Sequence, residues 1–596
     1  MGERRFAALA MLPGLVLVGL VVLPPVLAVL GLSLFRVELL RDDDRPFVGL
    51  RNFLVRLPLD AVFLATLPRT FAFAFLATAL AVPIALGTAL LVNGRQRGGN
   101  RLGLLLLLPW TVAPVAAGVF WRLVFDTRFG LVNAGMGAFG LSPVRWTSEA
   151  LPGLVVTLVA VVWRAIPLLA VLLLGALRAV PGSLARAARM DGASTLQVLR
   201  HITLPAIRPT LVVVCVVEIV LSLQVFDILF AISRGRPPPG GDLAGYAIYS
   251  NVIEGLSFGY GSALTVVLAG VIALCLLPLI PVMRGRALRV GRSSSDTEDL
   301  LPVAAAERKG VPDLTPSELI GRVPDDRTRP RLRVPPAAGR AARAIGIALL
   351  VAWLVGPMIW LAIASVQPES ALRASPPALS PNLTVDGYSR LLTDPAWQGA
   401  LIVSVEVAVT ATAVALLVAV LAGYPLARFR FRGSRIMLGV LLLTQLIPPI
   451  ALAIPALILF IAFGLKGTVA GLIVVNAAFW TPILVWLVRA AFLAVPASLE
   501  AAARMDGAGR LGAMLRVALP AAAPAIAAAA VIVFVGVWND FVFVAVMGSR
   551  STGTLPRFLT ITADPPYHVL AAGILLTMAP CLVLVTALHR RILRAV

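Results

Sequence analysis

Of 596 residues, 59% are A, V, I, L, M, F, W, Y or C and only 13% are Asp, Glu, Lys or Arg, about half the charged share of a soluble domain. With a mean hydropathy of +0.94, that composition excludes an ordinary globular enzyme and indicates a polytopic membrane protein. A formal charge of +22 fits either nucleic-acid binding or the cytoplasmic bias of membrane loops, and the positions of the cations decide between them. Three cysteines (Cys215, Cys275, Cys581) lie in apolar runs and three histidines (His201, His568, His589) are scattered, so no disulfide framework or metal cluster is expected.

A hydrocarbon core about 30 Å thick takes roughly 20 apolar residues per helix. In chain order the sequence predicts spans near 8–34, 70–92, 102–124, 153–176, 209–233 and 260–283, then 342–365, 400–424, 436–461, 468–488, 521–547 and 568–588. The first follows Arg4 and Arg5 as a signal peptide would. Its apolar run is too long and no small-residue cleavage site ends it, so it reads as an uncleaved signal-anchor helix. The interval 284–343, rich in Arg, Pro, Ser and Asp, reads as a flexible linker between a first half, 1–283, and a second, 344–596. With the N-terminus inside, the inside segments hold 34 Lys and Arg and the outside segments 16, counting Arg122 near the end of the third span with the outside. Both termini and the linker are therefore expected in the cytoplasm, the chain is a lipid-embedded protein, and nucleic acid drops out as a partner.

Two inside loops repeat each other. One reads Pro181-Gly-Ser-Leu-Ala-Arg-Ala-Ala-Arg-Met-Asp-Gly-Ala193, followed by Leu204-Pro205 and Pro209. The other reads Pro496-Ala-Ser-Leu-Glu-Ala-Ala-Ala-Arg-Met-Asp-Gly-Ala508, followed by Leu519-Pro520 and Pro524. At a constant offset of 315, fifteen of the 29 positions from Pro181 to Pro209 are identical, which identifies a parallel duplication. Ser183 and Ser498 are expected to cap a short helix, with Leu184 or Leu499 on one side. Asp-Gly then breaks it, and Ser194-Thr-Leu-Gln197 fits a capping box for a second helix. A duplicated, exposed surface rich in Ala and Gly is suited to docking.

The spacing Ala-Ala-x3-Gly-x9-Ile-x-Leu-Pro at Ala187–Pro205, with Val517 for Ile202 in the second copy, resembles the cytoplasmic signature of ABC-importer permeases. The flanks resemble the carbohydrate branch of the maltose and glycerol-3-phosphate groups. Gly49-Leu-Arg-Asn-Phe53, Ser222-Leu-Gln-Val-Phe-Asp227, Tyr246-Ala-Ile-Tyr249 and Phe258-Gly-Tyr-Gly-Ser-Ala263 are similar to the first subunit of that group. Tyr424-Pro-Leu-Ala-Arg428, Phe463-Gly-Leu465 and Trp538-Asn-Asp-Phe541 are similar to the second. The resemblance implies an all-α polytopic fold of twelve spans, two six-helix type I permease bundles fused in one chain. It implies coupling helices at 181–205 and 496–520, seated on a dimer of cytoplasmic ABC ATPases that carry the ATP and Mg²⁺. It also implies an extracytoplasmic solute-binding protein, location in a bacterial inner (plasma) membrane, and uptake of a sugar or polyol by alternating access. The ATPase-coupling residues it implies are Ser183, Leu184, Ala187, Ala188, Asp191, Gly192 and Ala193, with Ser498, Leu499, Glu500, Ala502, Ala503, Asp506, Gly507 and Ala508. One departure stands out: where the family has Glu two residues after Ser-Leu, this chain has Arg186 and Ala501, with Glu500 one place early.

The chain has two lysines, Lys309 and Lys466, both followed by Gly, so it holds no Walker A loop and is expected to be a permease without its own ATPase site or cofactor. Ionisable residues within spans need a reason: Arg164, Glu218, Asp227, Glu406 and Asp540 form the set. Gln224 and Asp227 are expected on one helix face and Glu218 on the other, with an Arg164–Glu218 pair. Gln224, Asp227, Trp538, Asn539 and Asp540 are the candidate substrate pathway, against a role as interhelical hydrogen bonds. Two alternatives remain at this stage. One is an ABC permease for polyamine, iron, sulfate or phosphonate. The other is a major-facilitator secondary transporter, whose usual acidic residue is missing from the loop Asn93–Arg101.

Overall fold

A computed structural model describes residues 11–38, 45–93, 108–278, 336–374, 379–429, 433–445, 447–561 and 565–595. Among them, ten helices are long and apolar enough to cross a membrane. In lipid every backbone polar group needs an internal partner, so long runs of Ala, Leu and Val become helices. The first half comprises α1 (Met11–Leu32), α2 (Ala61–Asn93), α3 (Pro114–Val124), α4 (Ala150–Arg178), α5 (Gly182–Met190), α6 (Leu204–Leu223), α7 (Asp227–Ile232) and α8 (Phe258–Cys275). The second comprises α9 (Pro336–Ala364), α10 (Pro395–Arg428), α11 (Ser434–Leu443), α12 (Pro449–Ala462), α13 (Val469–Ala494), α14 (Ala497–Met505), α15 (Leu519–Trp538), α16 (Val542–Met547) and α17 (Tyr567–Ala595). Helix α9 begins at Pro336, so 336–343 are helical rather than linker; 284–335 lie outside the described residues.

Four of the twelve expected spans are not continuous. The span expected near 102–124 breaks before Pro114, where Ala113 is extended (φ −56°, ψ 141°). Its counterpart near 436–461 breaks before Pro449, where Pro448 is extended (φ −55°, ψ 138°). A proline disfavours helical geometry in the residue before it, and this explains both breaks. The spans expected at 209–233 and 521–547 break at Gln224 (φ −97°, ψ 7°) and Asn539 (φ −89°, ψ 3°). Those two residues are again 315 apart, and so are the bounds of α5 and α14, α6 and α15, and α7 and α16.

Each half is built on one close helix pair, α2 with α4 and α10 with α13. Buried alanines line both central helices at the same spacing: Ala74, Ala77, Ala81 and Ala85 on α2, and Ala408, Ala411, Ala415 and Ala419 on α10, all fully enclosed. Small residues at helical period let backbones approach closely where no hydrophobic force acts between lipid and helix. The first helix of each half crosses to the other. Helix α1 packs on α12 and α13, and a Cβ on its Gly14 would lie 3.2 Å from Val418. Helix α9 packs on α2, and Trp163 of α4 donates its indole N–H to the Leu354 carbonyl of α9 at 3.1 Å. The two halves thus share one core.

Candidate functional site

The repeated loops have one backbone design. Pro181 and Pro496 precede α5 and α14 at φ −59° and −58°, and no side chain caps either helix. Ser183 and Ser498 are therefore not the caps expected from sequence. They sit inside the first turn, because the helix starts directly after a proline whose φ is already set. Both helices end in the same Schellman turn. Gly192 (φ +84°) donates to Arg189 at 3.1 Å and Ala193 to Ala188 at 2.9 Å; Gly507 (φ +91°) donates to Arg504 at 3.2 Å and Ala508 to Ala503 at 3.0 Å. Only glycine takes this φ without strain, so Asp191-Gly192 and Asp506-Gly507 each end their helix at a fixed point. The expected capping box is present: Gln197 N–H donates to Ser194 Oγ at 3.3 Å, and Ser194 N–H to Gln197 Oε1 at 2.7 Å. Ser183, Ala187, Asp191, Ser498, Ala502 and Asp506 are exposed, while Ala188 and Ala503 are half-buried. Apolar side chains are exposed at matched positions too: Leu184 and Leu499 at 50% and 49%, Met190 and Met505 at 84% each.

Glu500 behaves differently from its neighbours. It is buried and accepts hydrogen bonds from the Tyr424 hydroxyl at 2.8 Å and Arg428 Nε at 2.7 Å. It was expected among the ATPase-coupling residues. One step along a helix is a rotation of about 100°, and that turns position 500 toward α10 while Ala501 faces out. Arg428 also donates to the Val495 carbonyl at 2.9 Å, so the Tyr424–Arg428 motif fastens α10 to the second loop.

Of the five ionisable residues within spans, Asp227 and Asp540 lie at the two helix breaks, and Arg164 and Glu218 belong to the same cluster. Helix α6 ends at Leu223 and α7 restarts at Asp227, so the shared helix face expected for Gln224 and Asp227 does not exist. The break turns Asp227 so that Arg164 lies within electrostatic range of both Asp227 and Glu218. Arg164 donates to the Val112 carbonyl at 3.2 Å, and Ser222 donates to Glu218 at 3.2 Å. From the other half, Asp540 lies within electrostatic range of Asp227 and accepts from Asn476 Nδ2 at 3.1 Å and Phe543 N–H at 3.3 Å. Both polar atoms of the Asn539 side chain, and Oδ1 of Asp227, are enclosed without a hydrogen-bond partner. Trp538, a candidate pathway residue, is buried and donates to the Thr577 carbonyl at 2.8 Å. Glu406 is exposed on the outer face of α10 beside Ile402 and Val409.

Next to the breaks lies a cavity of about 740 Å³ with walls from both halves. Phe230 and Phe541, whose ring centroids are 5.5 Å apart across the junction, belong to its wall. Its lining residue Asp126 follows Phe125, whose ring packs on Trp146 four residues before α4, whereas α5 follows the far end of that 29-residue helix, about 43 Å along its axis. Four arginines line it, Arg122 and Arg234 from the first half and Arg373 and Arg557 from the second, with Asp126 as the one carboxylate among the described lining residues. Arg122 donates to the Ala231 carbonyl at 2.9 Å and Arg557 to the Ser549 carbonyl at 2.8 Å. Burial lowers the Arg557 guanidinium below its ordinary value, whereas the hydrogen bond and charge of Glu369 raise Arg373. Arg373 also lies 5.8 Å from the ring centroids of Phe129 and Tyr567. None of these arginines was singled out from sequence, because each is an ordinary loop or helix-end cation until the fold brings it to the others.

The chain matches the family described as binding-protein-dependent transport system inner membrane component twice, over residues 61–283 and 415–596. It is 32% identical over 265 residues to the trehalose/maltose transport system permease protein MalF of Thermococcus litoralis, covering 44% of this chain and 88% of that protein. It is 30% identical over 250 residues to the trehalose transport system permease protein SugB of Mycobacterium tuberculosis, covering 41% and 91%. Against the diacetylchitobiose uptake system permease protein NgcG of Streptomyces coelicolor, identity is 31% over 269 residues, covering 44% and 89%. Less than half of this chain thus spans nearly the whole of each relative.

Proposed function

The chain belongs to the family of binding-protein-dependent transport system inner membrane components, and on that premise we propose that it is the fused permease pair of an ATP-driven carbohydrate importer. The sugar assignment rests on the relatives, which are named for trehalose, maltose and diacetylchitobiose. The observation that carries the mechanism is the duplicated loop. Two nine-residue helices with the same Schellman turn, 315 residues apart, expose matched Leu and Met side chains. Partner clefts are the natural cover for such apolar surface. Each of two cytoplasmic ABC ATPases takes one loop, supplies the ATP and Mg²⁺ chemistry this chain's two lysines do not support, and moves the half attached to it. The lysine and arginine bias of the loops puts α5, α14, both termini and the linker in the cytoplasm. The arginine-lined cavity then faces the other side, where a solute-binding protein delivers its cargo.

In this reading ATP binding draws the ATPases together and the loop helices transmit the motion through α6 and α15. The cavity opens outward to receive solute, and hydrolysis reverses the step. Glu500 is a fastening residue here, and Arg186 occupies the outward position at the first loop. Pull-down of the tagged chain in mild detergent tests the assignment. An ABC ATPase that co-purifies, and is lost when Asp191-Gly192 and Asp506-Gly507 are mutated, supports it. A chain that purifies alone and moves solute in proteoliposomes on an ion gradient without ATP overturns it in favour of secondary transport.

A further inference from the structure

We propose that the solute is an acidic saccharide, one carrying a carboxylate, sulfate or phosphate group, held by arginines in the cavity between the halves. The inference rests on the carbohydrate-importer reading and narrows its substrate class. A guanidinium has five donors and no acceptor. A site for a neutral sugar must meet hydroxyls that both donate and accept, so it balances cations with carboxylates and amides. Among the described lining residues this cavity does not: four arginines stand with one carboxylate. Asp126 is also largely occupied, accepting the backbone N–H groups of Arg128 and Phe129 at 2.9 and 3.1 Å and a hydrogen bond from Tyr567 across the junction. Glu369 holds Arg373 from outside the lining. Arg557 pairs with no carboxylate among the described residues, and its bond is to a neutral carbonyl. A partly buried cation without a counterion is costly unless a ligand provides one.

Two further observations fit the same ligand. Arg234 is one of two described non-glycine residues at positive φ (+52°), and it lines this cavity. Left-handed geometry costs a side-chain-bearing residue energy, and here it comes with a cation held at the cavity wall. Between the arginines stand Phe129, Tyr249 and Tyr567, flat apolar faces against which the C–H surface of a pyranose stacks. Forked guanidinium donors match the oxygens of a carboxylate, sulfate or phosphate. Together they recognise a sugar ring that carries an anion.

The full chain in lipid nanodiscs, titrated calorimetrically at low ionic strength, tests this with three probes: cellobiose, its uronic analogue cellobiouronic acid, and inorganic phosphate. The uronic disaccharide is expected to bind about tenfold tighter than cellobiose. That preference should disappear in Arg122→Gln/Arg557→Gln and return in part in Arg122→Lys/Arg557→Lys, with monodisperse elution of both variants showing that they fold. Equal binding of the two disaccharides would overturn the acidic class while leaving the carbohydrate reading in place. Phosphate binding with neither disaccharide bound would overturn both. Binding of none of the probes would overturn the assignment of this cavity to solute.

Discussion

Arg428 and Glu500, 72 residues apart in the chain, form an ion pair of 2.6 Å that ties the end of α10 to the second repeated loop. The Tyr424 hydroxyl completes the clasp. Both charged side chains are about nine-tenths enclosed, so removing one leaves the other buried and unmatched. Glu500→Ala is therefore expected to destabilise the chain by about 3 kcal/mol, and Glu500→Gln by less, because it retains an acceptor for Tyr424. Thermal unfolding followed by size-exclusion elution measures this. Loss of ATPase co-purification in Glu500→Ala at unchanged stability would instead make Glu500 a direct docking contact.

Gly192 and Gly507 each end a loop helix at strongly positive φ, and a side chain at Gly507 would meet open space. Substitution there acts through backbone strain, about 1–2 kcal/mol per site. The double variant Gly192→Val/Gly507→Val is expected to insert in the membrane at normal levels while uptake falls to background. Normal uptake by that variant would show that the loops do not couple the ATPases to transport.

Packing near the cavity offers a sharper contrast. A Cβ on Gly118 would lie 2.7 Å from both Ala231 Cβ and the Ile228 carbonyl oxygen, so α3 touches α7 backbone to backbone. Gly118→Ala should cost about 1–3 kcal/mol through forced separation of the two helices. Gly87→Ala, on α2 with no atom within 4 Å of its added methyl, should gain up to about 1 kcal/mol from helix propensity. Melting temperatures that move in the same direction in both variants would contradict the close approach.

Asn539 is enclosed, yet neither polar atom of its side chain has a hydrogen-bond partner. An unsatisfied buried amide costs about 1–3 kcal/mol. Asn539→Ala should then raise the melting temperature while uptake falls, if the amide serves the pathway. A lower melting temperature would mean that the side chain holds the helix break together.

Much of this architecture was readable along the chain because it depends on local pattern. Proline spacing, the Asp-Gly pair and the 315-residue offset each impose geometry on their own neighbours, and α5 and α14 adopt it. The Ser194–Gln197 capping box is of the same kind. The breaks at Gln224 and Asn539 carried no such signal, since neither segment contains Pro or Gly at the break. Continuous apolar character hid them, and the helical-face arithmetic that linked Gln224 with Asp227 failed for that reason. Ser183 and Ser498 lie two positions inside the helix rather than at its cap for a smaller reason, the ability of proline to open a helix without a side-chain cap.

By itself the sequence determined the membrane class, the duplicated halves and the turn that ends each loop helix, because hydropathy, repetition and glycine geometry act over short distances. Tertiary structure alone decided which charges meet. Arg122, Arg234, Arg373 and Arg557 come from four separate segments and share one cavity only when the halves close on each other. Glu500 turns inward only because α10 presents Tyr424 and Arg428 to it. Charge partners separated by tens or hundreds of residues leave no periodic trace in a chain, so the site's chemistry appears only once the helices are packed.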